Sequence, residues 1–181
     1  MRIAAIILAG GKSRRMGQDK GLMSYQGKVM VSFVLEAVQS ITDDICIMTA
    51  NKAYAQFGYP IVKDEVDEKG PLGGIVSGMN YVNAEKYIVL SCDTPNITSA
   101  FLSELIAASD NVDVCFPKNG DRIHPLIGIY SRSALNHLKE QLALNQLKMM
   151  NAMDGLNVHL FDANTWSEEL FKNINAKEDL K

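Results

Sequence analysis

Cysteine is scarce in this sequence, which has three among its 181 residues and no C-x-x-C pair. Cys46, Cys92 and Cys115 each lie in a short apolar run typical of a strand. An odd number of cysteines without paired spacing is typical of a protein in a reducing cytosol. We therefore predict three buried core thiols and a cytoplasmic location.

The sequence also lacks a net positive charge and a long apolar run. Its formal net charge of −3 argues against a general nucleic-acid binder, which is usually basic overall. The N-terminal apolar run is too short to span a membrane, and it has neither the basic start nor the cleavage site of a signal peptide. The length predicts a single domain over residues 1–181 with a sizeable core.

The positive charge that is present is concentrated in one loop near the N-terminus. Residues 3–9 form a continuous apolar run, which predicts a strand buried on both faces of a parallel sheet. Gly10 and Gly11 end the run, and without Cβ atoms they let a ligand approach the backbone N–H groups closely. Four cations follow: Lys12, Arg14, Arg15 and Lys20. This loop indicates an oligophosphate site, the alternative being a glycine turn with a solvated basic segment.

Two common phosphate-binding motifs are absent from this loop. A P-loop requires a glycine five residues before the glycine of its Gly-Lys-Ser, and Ile6 occupies that place before Gly11. The dinucleotide fingerprint G-x-G-x-x-G also fails, because Gly10 and Gly11 are adjacent and the next glycine is Gly17. The sequence has no obvious Ser/His/Asp or Cys/His arrangement for nucleophilic catalysis either.

A strand–helix–strand unit follows the loop. Apolar residues at helical spacing predict a helix of about three turns: Met30, Phe33, Val34, Ala37, Val38 and Ile41. Residues 45–48 predict a second buried strand, parallel to the first. Asn51 follows that strand at the same edge as the basic loop. It is therefore placed to meet a bound nucleotide, although asparagine is also common there as a turn residue.

Two carboxylates follow further predicted strands. Asp64 ends the short strand of residues 61–64. Asp93 ends the strand of residues 87–92, and a carboxylate at that edge would be repelled by a triphosphate unless a cation lay between them. Mg²⁺ is the natural choice, since it binds one or two carboxylates together with phosphate oxygens. Asp93 is therefore a predicted metal ligand, with a helix cap as the alternative.

The helix predicted after Pro71 is rich in glycine. Gly73, Gly74 and Gly78 are poor helix formers, so their presence calls for a reason. It is either a flat ligand near the helix start or close packing of the helix on the sheet. Further along, Thr98 predicts a helix N-cap, and Asn145 predicts the start of a later helix. Residues 118–121 predict a turn centred on Asn119–Gly120, which makes the next strand antiparallel and the sheet mixed.

Residues 8–20, LAGGKSRRMGQDK, resemble the signature loop of nucleotidyltransferases with the nucleotide-diphospho-sugar transferase fold. The ending Arg15-Met16-Gly17-x-Asp19-Lys20 is most similar to the molybdenum cofactor guanylyltransferases. Four later segments are similar to further segments of that family: GPLGGI (70–75), CDTP (92–95), HPL (124–126) and the closing N-x-N…DL (173–180). The resemblance implies an α/β fold of three α/β/α layers, Rossmann-like, with a mostly parallel mixed sheet.

The resemblance also implies roles for individual residues. It makes Lys20, Arg15 and Asp93 catalytic, with Asp93 binding Mg²⁺. The implied nucleotide-binding set is Leu8, Ala9, Gly10, Gly11, Lys20, Asn51, Asp64 and Asp93. His124 would contact the acceptor, or else be a structural histidine at a strand start. Lys148 stands where the family tends to carry arginines, which weakens the correspondence on the acceptor side.

The implied reaction is GMP transfer from GTP to the molybdenum–molybdopterin cofactor, forming molybdopterin guanine dinucleotide and releasing pyrophosphate. Partner proteins would supply the cofactor and receive the product, and neither a nucleic acid nor a membrane is expected as a partner. Two alternatives stay open. One is a cytidylyltransferase acting on molybdopterin or another small phosphorylated acceptor, and the other is a GTP-binding cofactor carrier without turnover.

Overall fold

The structure is a computed structural model that describes residues 1–10, 19–65 and 69–174. The strands are β1 (Ile3–Leu8), β2 (Ser24–Tyr25), β3 (Lys28–Val29), β4 (Ile45–Met48), β5 (Ile61–Val62), β6 (Lys86–Ser91), β7 (Val114–Asn119), β8 (Arg122–Ile123), β9 (Ile127–Ser131) and β10 (Val158–Asp162). The α-helices are α1 (Met30–Gln39), α2 (Gly70–Tyr81), α3 (Ser99–Ala108), α4 (Ala134–Ala143) and α5 (Met149–Ala152). Short 3₁₀ helices span Lys20–Leu22, Lys52–Phe57 and Glu168–Phe171.

The main sheet has the strand order β10-β7-β9-β6-β1-β4-β5, and β8 pairs with β7 beside this path. β1 lies between β4 and β6 and is parallel to both, as the strand–helix–strand pattern predicts. β9 is antiparallel to its neighbours β6 and β7. The prediction of a mostly parallel mixed sheet is therefore confirmed, and the carboxyl ends of β1, β4, β5 and β6 meet at one edge.

Two apolar clusters cover the two faces of the sheet. Alternate residues of β1 divide between them: Ala5 and Ile7 pack on the face covered by α1 and α3, and Ala4 and Ile6 on the face covered by α2 and α4. The predicted apolar face of α1 is largely buried in the first cluster. This arrangement confirms the predicted three-layer α/β/α architecture.

Close packing accounts for two of the glycines in α2. A Cβ atom on Gly78 would lie 2.7 Å from Cγ2 of Ile6 in the central strand. A Cβ atom on Gly74 would lie 2.9 Å from Cδ2 of Leu8 and 3.4 Å from Oδ1 of Asp64. Of the two readings of this helix, the structure supports helix–sheet packing at Gly78. Gly74 combines that packing with proximity to a predicted site residue.

The three cysteines are free and buried, as the sequence predicts. Burial raises the pKa of the Cys46 thiol to about 12 and that of Cys115 to about 11. Burial also raises the pKa of Cys92 to about 12, and the neighbouring charge of Asp93 adds to the effect. These thiols are core groups and carry no thiolate at neutral pH.

The structure differs from the sequence prediction at two element boundaries. β7 continues through Asn119, so its last residues form a hairpin with β8 where only a turn was predicted. Asn145, predicted to open a helix, instead follows α4 with a φ of 58°, and α5 begins at Met149. Thr98 does cap α3, its hydroxyl accepting from the N–H of Phe101.

Among the described residues, no helix is both long and apolar enough to cross a membrane.

Candidate functional site

The carboxyl edge of β1, β4 and β5 surrounds a cavity of about 280 Å³. Parallel strands place their ends together, and this brings residues distant in sequence to one opening. The lining residues are Ala9, Gly10, Asp19, Met48, Thr49, Ala50, Asn51, Lys63 and Asp64. Four residues of the predicted nucleotide-binding set therefore share this cavity, and Leu8 ends the strand beneath it.

The backbone at the end of β1 leaves room for a ligand at Gly10. The N–H of Ala9 donates to the carbonyl of Met48 at 3.1 Å, so this N–H belongs to the sheet. Among the described residues, a Cβ atom on Gly10 would meet only the Met48 carbonyl oxygen, at an ordinary 3.5 Å. The protein's own described packing thus does not require glycine here, whereas close approach of a phosphate to the backbone would.

Lys20 and Asp93 face each other across the same edge. The Lys20 Nζ lies 3.6 Å from Oδ2 of Asp93, and their side chains are 22% and 13% exposed. Lys20 begins a short 3₁₀ helix, and Asp93 follows β6. The structure thus brings together a cation and a carboxylate that the sequence assigned to one active site.

Other groups fix the orientation of the Asp93 carboxylate. Its Oδ1 accepts hydrogen bonds from the Ser91 hydroxyl at 2.6 Å and from the Asn173 amide at 3.2 Å. The backbone N–H of Ile174 donates to the Asp93 carbonyl at 2.8 Å. Asp93 does not cap the following helix, since Thr98 does so, and the helix-cap alternative is therefore excluded.

The residues around Asp93 fit a hard cation that brings phosphate ligands with it. Within the described ranges, no three His, Cys, Asp or Glu side chains lie close enough together to hold a metal by themselves. Mg²⁺ characteristically binds one or two carboxylates and completes its octahedron with phosphate oxygens and water. One oriented carboxylate at the sheet edge that also holds the strand-end cavity is compatible with that requirement.

A second group of polar side chains, centred on Asp19, was not predicted from the sequence. The Tyr54 hydroxyl donates to Oδ1 of Asp19 at 2.6 Å, and the Asn51 amide donates to Oδ2 at 3.0 Å. The N–H of Gly21 also donates to Oδ1, at 3.2 Å. Tyr54 is fully buried, and burial raises the pKa of its hydroxyl well above the usual range, so it remains a donor.

His124 lies in a second cavity of about 710 Å³, beside the β7–β8 hairpin. Its ring stacks on Phe171 with centroids 4.9 Å apart and planes 23° apart. Burial lowers the pKa of His124, and the nearby Arg122 charge lowers it further. The other lining residues are Asn119, Gly120, Asp121, Arg122, Glu168, Glu169, Phe171, Lys172 and Asn173. This cavity reaches the first site, because Asn173 also contacts Asp93.

Two predicted site residues, Gly11 and Arg15, lie outside the described residues. Of the additional contacts, Asn173 belongs to the closing Asn-x-Asn segment, so the sequence contained a signal for it. Ser91 precedes Asp93 by two residues but had no distinguishing pattern. Tyr54 gave no signal, because a single tyrosine in a segment without predicted structure cannot be linked to Asp19 by spacing.

Comparison with known proteins gives concordant matches. The family model described as "MobA-like NTP transferase domain" matches residues 5–157. A Flavobacterium johnsoniae protein named "Probable molybdenum cofactor guanylyltransferase" is 34% identical over 98% of this chain and 94% of its own length. A Serratia proteamaculans protein named "Molybdenum cofactor guanylyltransferase" is 31% identical over 98% of this chain and 91% of its own length.

A solved structure has the same fold. The crystal structure of molybdopterin-guanine dinucleotide biosynthesis protein A from Archaeoglobus fulgidus superposes with a TM-score of 0.82 at 22% identity. The superposition covers 98% of this chain and 94% of that one. It supports the Rossmann-like arrangement of a mixed, mostly parallel sheet between helices.

Proposed function

This chain belongs to the family of MobA-like NTP transferase domains, and from that premise we propose that it transfers GMP from GTP to the molybdenum–molybdopterin cofactor. The products would be molybdopterin guanine dinucleotide and pyrophosphate. The observation that carries the proposal is the Lys20–Asp93 pair beside the strand-end cavity, in a chain whose relatives bear that activity in their names. We further propose that residues 1–181 act as a single nucleotidyltransferase domain.

The nucleotide would occupy the cavity at the ends of β1, β4 and β5. The backbone at Gly10, together with Leu8 and Ala9 at the end of β1, would face the α-phosphate and ribose. Asn51 and Asp64 line the same cavity and would supply polar groups for the nucleoside. Because the Ala9 N–H is already bonded within the sheet, the phosphate contacts are assigned to the N–H of Gly10 and of Gly11.

Lys20 would neutralise the triphosphate, and Arg15 would add charge from the preceding loop. A lysine that contacts a phosphate oxygen stabilises the charge that moves onto the leaving pyrophosphate. The described surroundings of Lys20 support this role, since its ammonium lies 3.6 Å from the Asp93 carboxylate.

Membership of a nucleotidyltransferase family indicates a divalent metal, and we propose that the metal is Mg²⁺ on Asp93. When bound, Mg²⁺ would supply positive charge to the phosphate oxygens. Asp93 would hold it through the carboxylate that Ser91 and Asn173 orient.

The acceptor would enter through the second cavity. The His124–Phe171 stack supplies a flat aromatic wall that suits a planar pterin. Arg122 and Lys172 supply positive charge for its phosphate, although Asp121, Glu168 and Glu169 also line the cavity. Asn173 lines this cavity and also contacts Asp93, and this contact supports an acceptor phosphate close to the proposed metal ligand.

The reaction requires positioning and charge neutralisation more than acid–base catalysis. A phosphate oxygen of molybdopterin forms a bond to the α-phosphorus of GTP. The bond from that phosphorus to the bridging oxygen breaks, and pyrophosphate leaves with the electron pair. The attacking phosphate is already an anion near neutral pH, so no general base is required.

The decisive experiment measures pyrophosphate release with Mg²⁺ and molybdenum-loaded molybdopterin, offering GTP and CTP in parallel. Release with GTP but not CTP is expected. Release with CTP alone would replace the base assignment and keep the mechanism. Absence of release with either nucleotide would overturn the proposed transfer, and a GTP-binding titration would then distinguish a cofactor carrier from an enzyme for another nucleotide.

A further inference from the structure

The Asp19 carboxylate links the segment after β4 to Lys20, the residue that follows Asp19 in the sequence. Asp19 caps the 3₁₀ helix that Lys20 begins, accepting from the N–H of Gly21. Tyr54 and Asn51, which follow β4, donate to the same carboxylate from the other side. A continuous set of hydrogen bonds therefore runs from the nucleotide cavity to the backbone that carries Lys20.

The packing around Gly21 makes this connection tight. A Cβ atom on Gly21 would lie 2.3 Å from the Tyr54 hydroxyl and 3.0 Å from the Cys92 sulfur. Cys92 directly precedes Asp93, and its backbone N–H donates to the Leu8 carbonyl at 3.0 Å. The start of the Lys20 helix is thus seated against both Tyr54 and the strand end that carries Asp93.

Both the oxygen and the nitrogen of the Asn51 side-chain amide already form hydrogen bonds. Its Oδ1 accepts from the N–H of Ala53, and its Nδ2 donates to Asp19. Within the described ranges, the second Nδ2 hydrogen has no protein partner and can be donated to a nucleotide. Asn51 can therefore contact the substrate and hold Asp19 at the same time.

We propose that Tyr54, Asn51 and Asp19 form a positioning network that fixes Lys20 opposite Asp93 before the nucleotide binds. This inference rests on the proposed function and extends it to residues that do not themselves touch the reacting atoms. A lysine side chain loses rotamer entropy when it is ordered, and this loss opposes the productive geometry. The hydrogen bonds to Asp19 fix the adjacent backbone of Lys20. A fixed backbone restricts where the Lys20 side chain can reach, which favours the productive geometry.

Tyr54 acts through Asp19 and is therefore a positioning residue. Its effect on the reaction should depend on the presence of Lys20, and this dependence can be tested. Tyr54→Phe keeps the buried ring and removes the hydroxyl. Because hydrogen bonds to charged groups are stronger than neutral ones, we expect the loss of this one to lower kcat/KM for GTP about 10-fold or more, mainly in kcat. In a Lys20→Ala background the same change should alter kcat/KM by less than about twofold, because the group being positioned is gone.

Tyr59→Phe is the matched control, since the Tyr59 hydroxyl contacts the exposed side chain of Gln39 at 3.4 Å. It should leave kcat/KM unchanged in both backgrounds. Thermal unfolding of every variant, followed by circular dichroism, separates loss of fold from loss of positioning. An equal loss from Tyr54→Phe with and without Lys20 would overturn the network, and so would no loss in the otherwise unchanged enzyme.

The two proposals fail in different ways. If the unchanged protein releases no pyrophosphate with GTP, the proposed transfer is wrong and the positioning network falls with it. If the unchanged protein turns over and the double-mutant cycle shows no coupling, the transfer stands and the network alone is wrong. GTP titrations on the same four proteins, with Mg²⁺, show whether any coupling already exists in the bound ground state.

Discussion

Lys20 meets Asp93 at 3.6 Å although the two residues follow different strands, one after the loop of β1 and one after β6. Both side chains are mostly buried, so their charges are screened less by water than those of a surface pair. Each would gain a new partner when Mg²⁺ and a triphosphate bind. The pair therefore keeps both charges compensated, and in the proposed mechanism it lies where Mg²⁺ and the triphosphate meet.

Lys20→Ala tests the cation of this pair. Loss of one charge-assisted contact that strengthens in the transition state should lower kcat/KM for GTP by a factor of ~10² or more. Lys28→Ala is the control, because Lys28 pairs with Glu36 on the exposed surface and should leave kcat/KM unchanged. Steady-state pyrophosphate release measures both variants. A near-normal rate in Lys20→Ala would rule out its assigned role.

Asp93→Asn tests the proposed metal ligand with a side chain of the same size. The amide removes the negative charge that would hold Mg²⁺, so we expect Mg²⁺-dependent turnover to be lost. Asp44→Asn provides a control, since Asp44 forms its ion pair with Arg2 away from the site. Turnover is measured as a function of Mg²⁺ concentration. Asp93→Asn activity that saturates at the normal Mg²⁺ concentration would move the metal to other ligands.

Gly78→Ala and Gly74→Ala separate packing from function within one helix. At Gly78 the added methyl group meets the branched, buried Ile6 side chain, and overpacking of about 1–3 kcal/mol outweighs the roughly 1 kcal/mol helix-propensity gain. Urea unfolding should therefore show a less stable protein with an unchanged KM for GTP. At Gly74 the neighbours are the flexible end of Leu8 and the Asp64 carboxylate, so we expect a raised KM for GTP.

The reverse pattern, with KM raised by Gly78→Ala and unchanged by Gly74→Ala, would contradict this division. It would also indicate that a ligand, and not packing, explains the glycines along the whole of α2, because Gly78 lies a turn further from the strand ends. Both variants are compared at the same protein concentration and temperature, with circular dichroism confirming that each is folded.

The sequence predicted the parts of the fold that depend on local patterns. A continuous apolar run marked β1, and helical spacing marked α1, because burial on two faces and on one face leave different periodicities. Asp93 and Asn51 could be assigned to one edge because parallel strands end together. Tyr54 could not, since its hydrogen bond to Asp19 depends on how a 3₁₀ helix returns to the sheet. The spacing of residues in the sequence does not predict the path by which this helix brings Tyr54 to Asp19.

The orientation of Asp93 was similarly beyond sequence reasoning. Asn173 reaches it from the last described segment of the chain, 80 residues away in sequence and beyond β10, which pairs with β7. Asn145 shows the opposite problem: asparagine suits both a helix start and a left-handed position after a helix. The tertiary packing of α4 selected the second.

His124 gives a prediction for the pH dependence of stability. Burial and Arg122 lower its pKa in the folded protein, whereas the unfolded chain titrates near the ordinary value of about 6.5. Between these two pKa values the unfolded state binds more protons, so this histidine lowers the stability as pH falls below about 6.5 and has no such effect above it. His124→Phe retains an aromatic ring against Phe171 and removes the titration. In urea unfolding from about pH 7.5 to 5.5, the stability of His124→Phe relative to the unchanged protein should therefore rise as pH falls. A difference that stays constant across this range would show that His124 protonates equally well in both states.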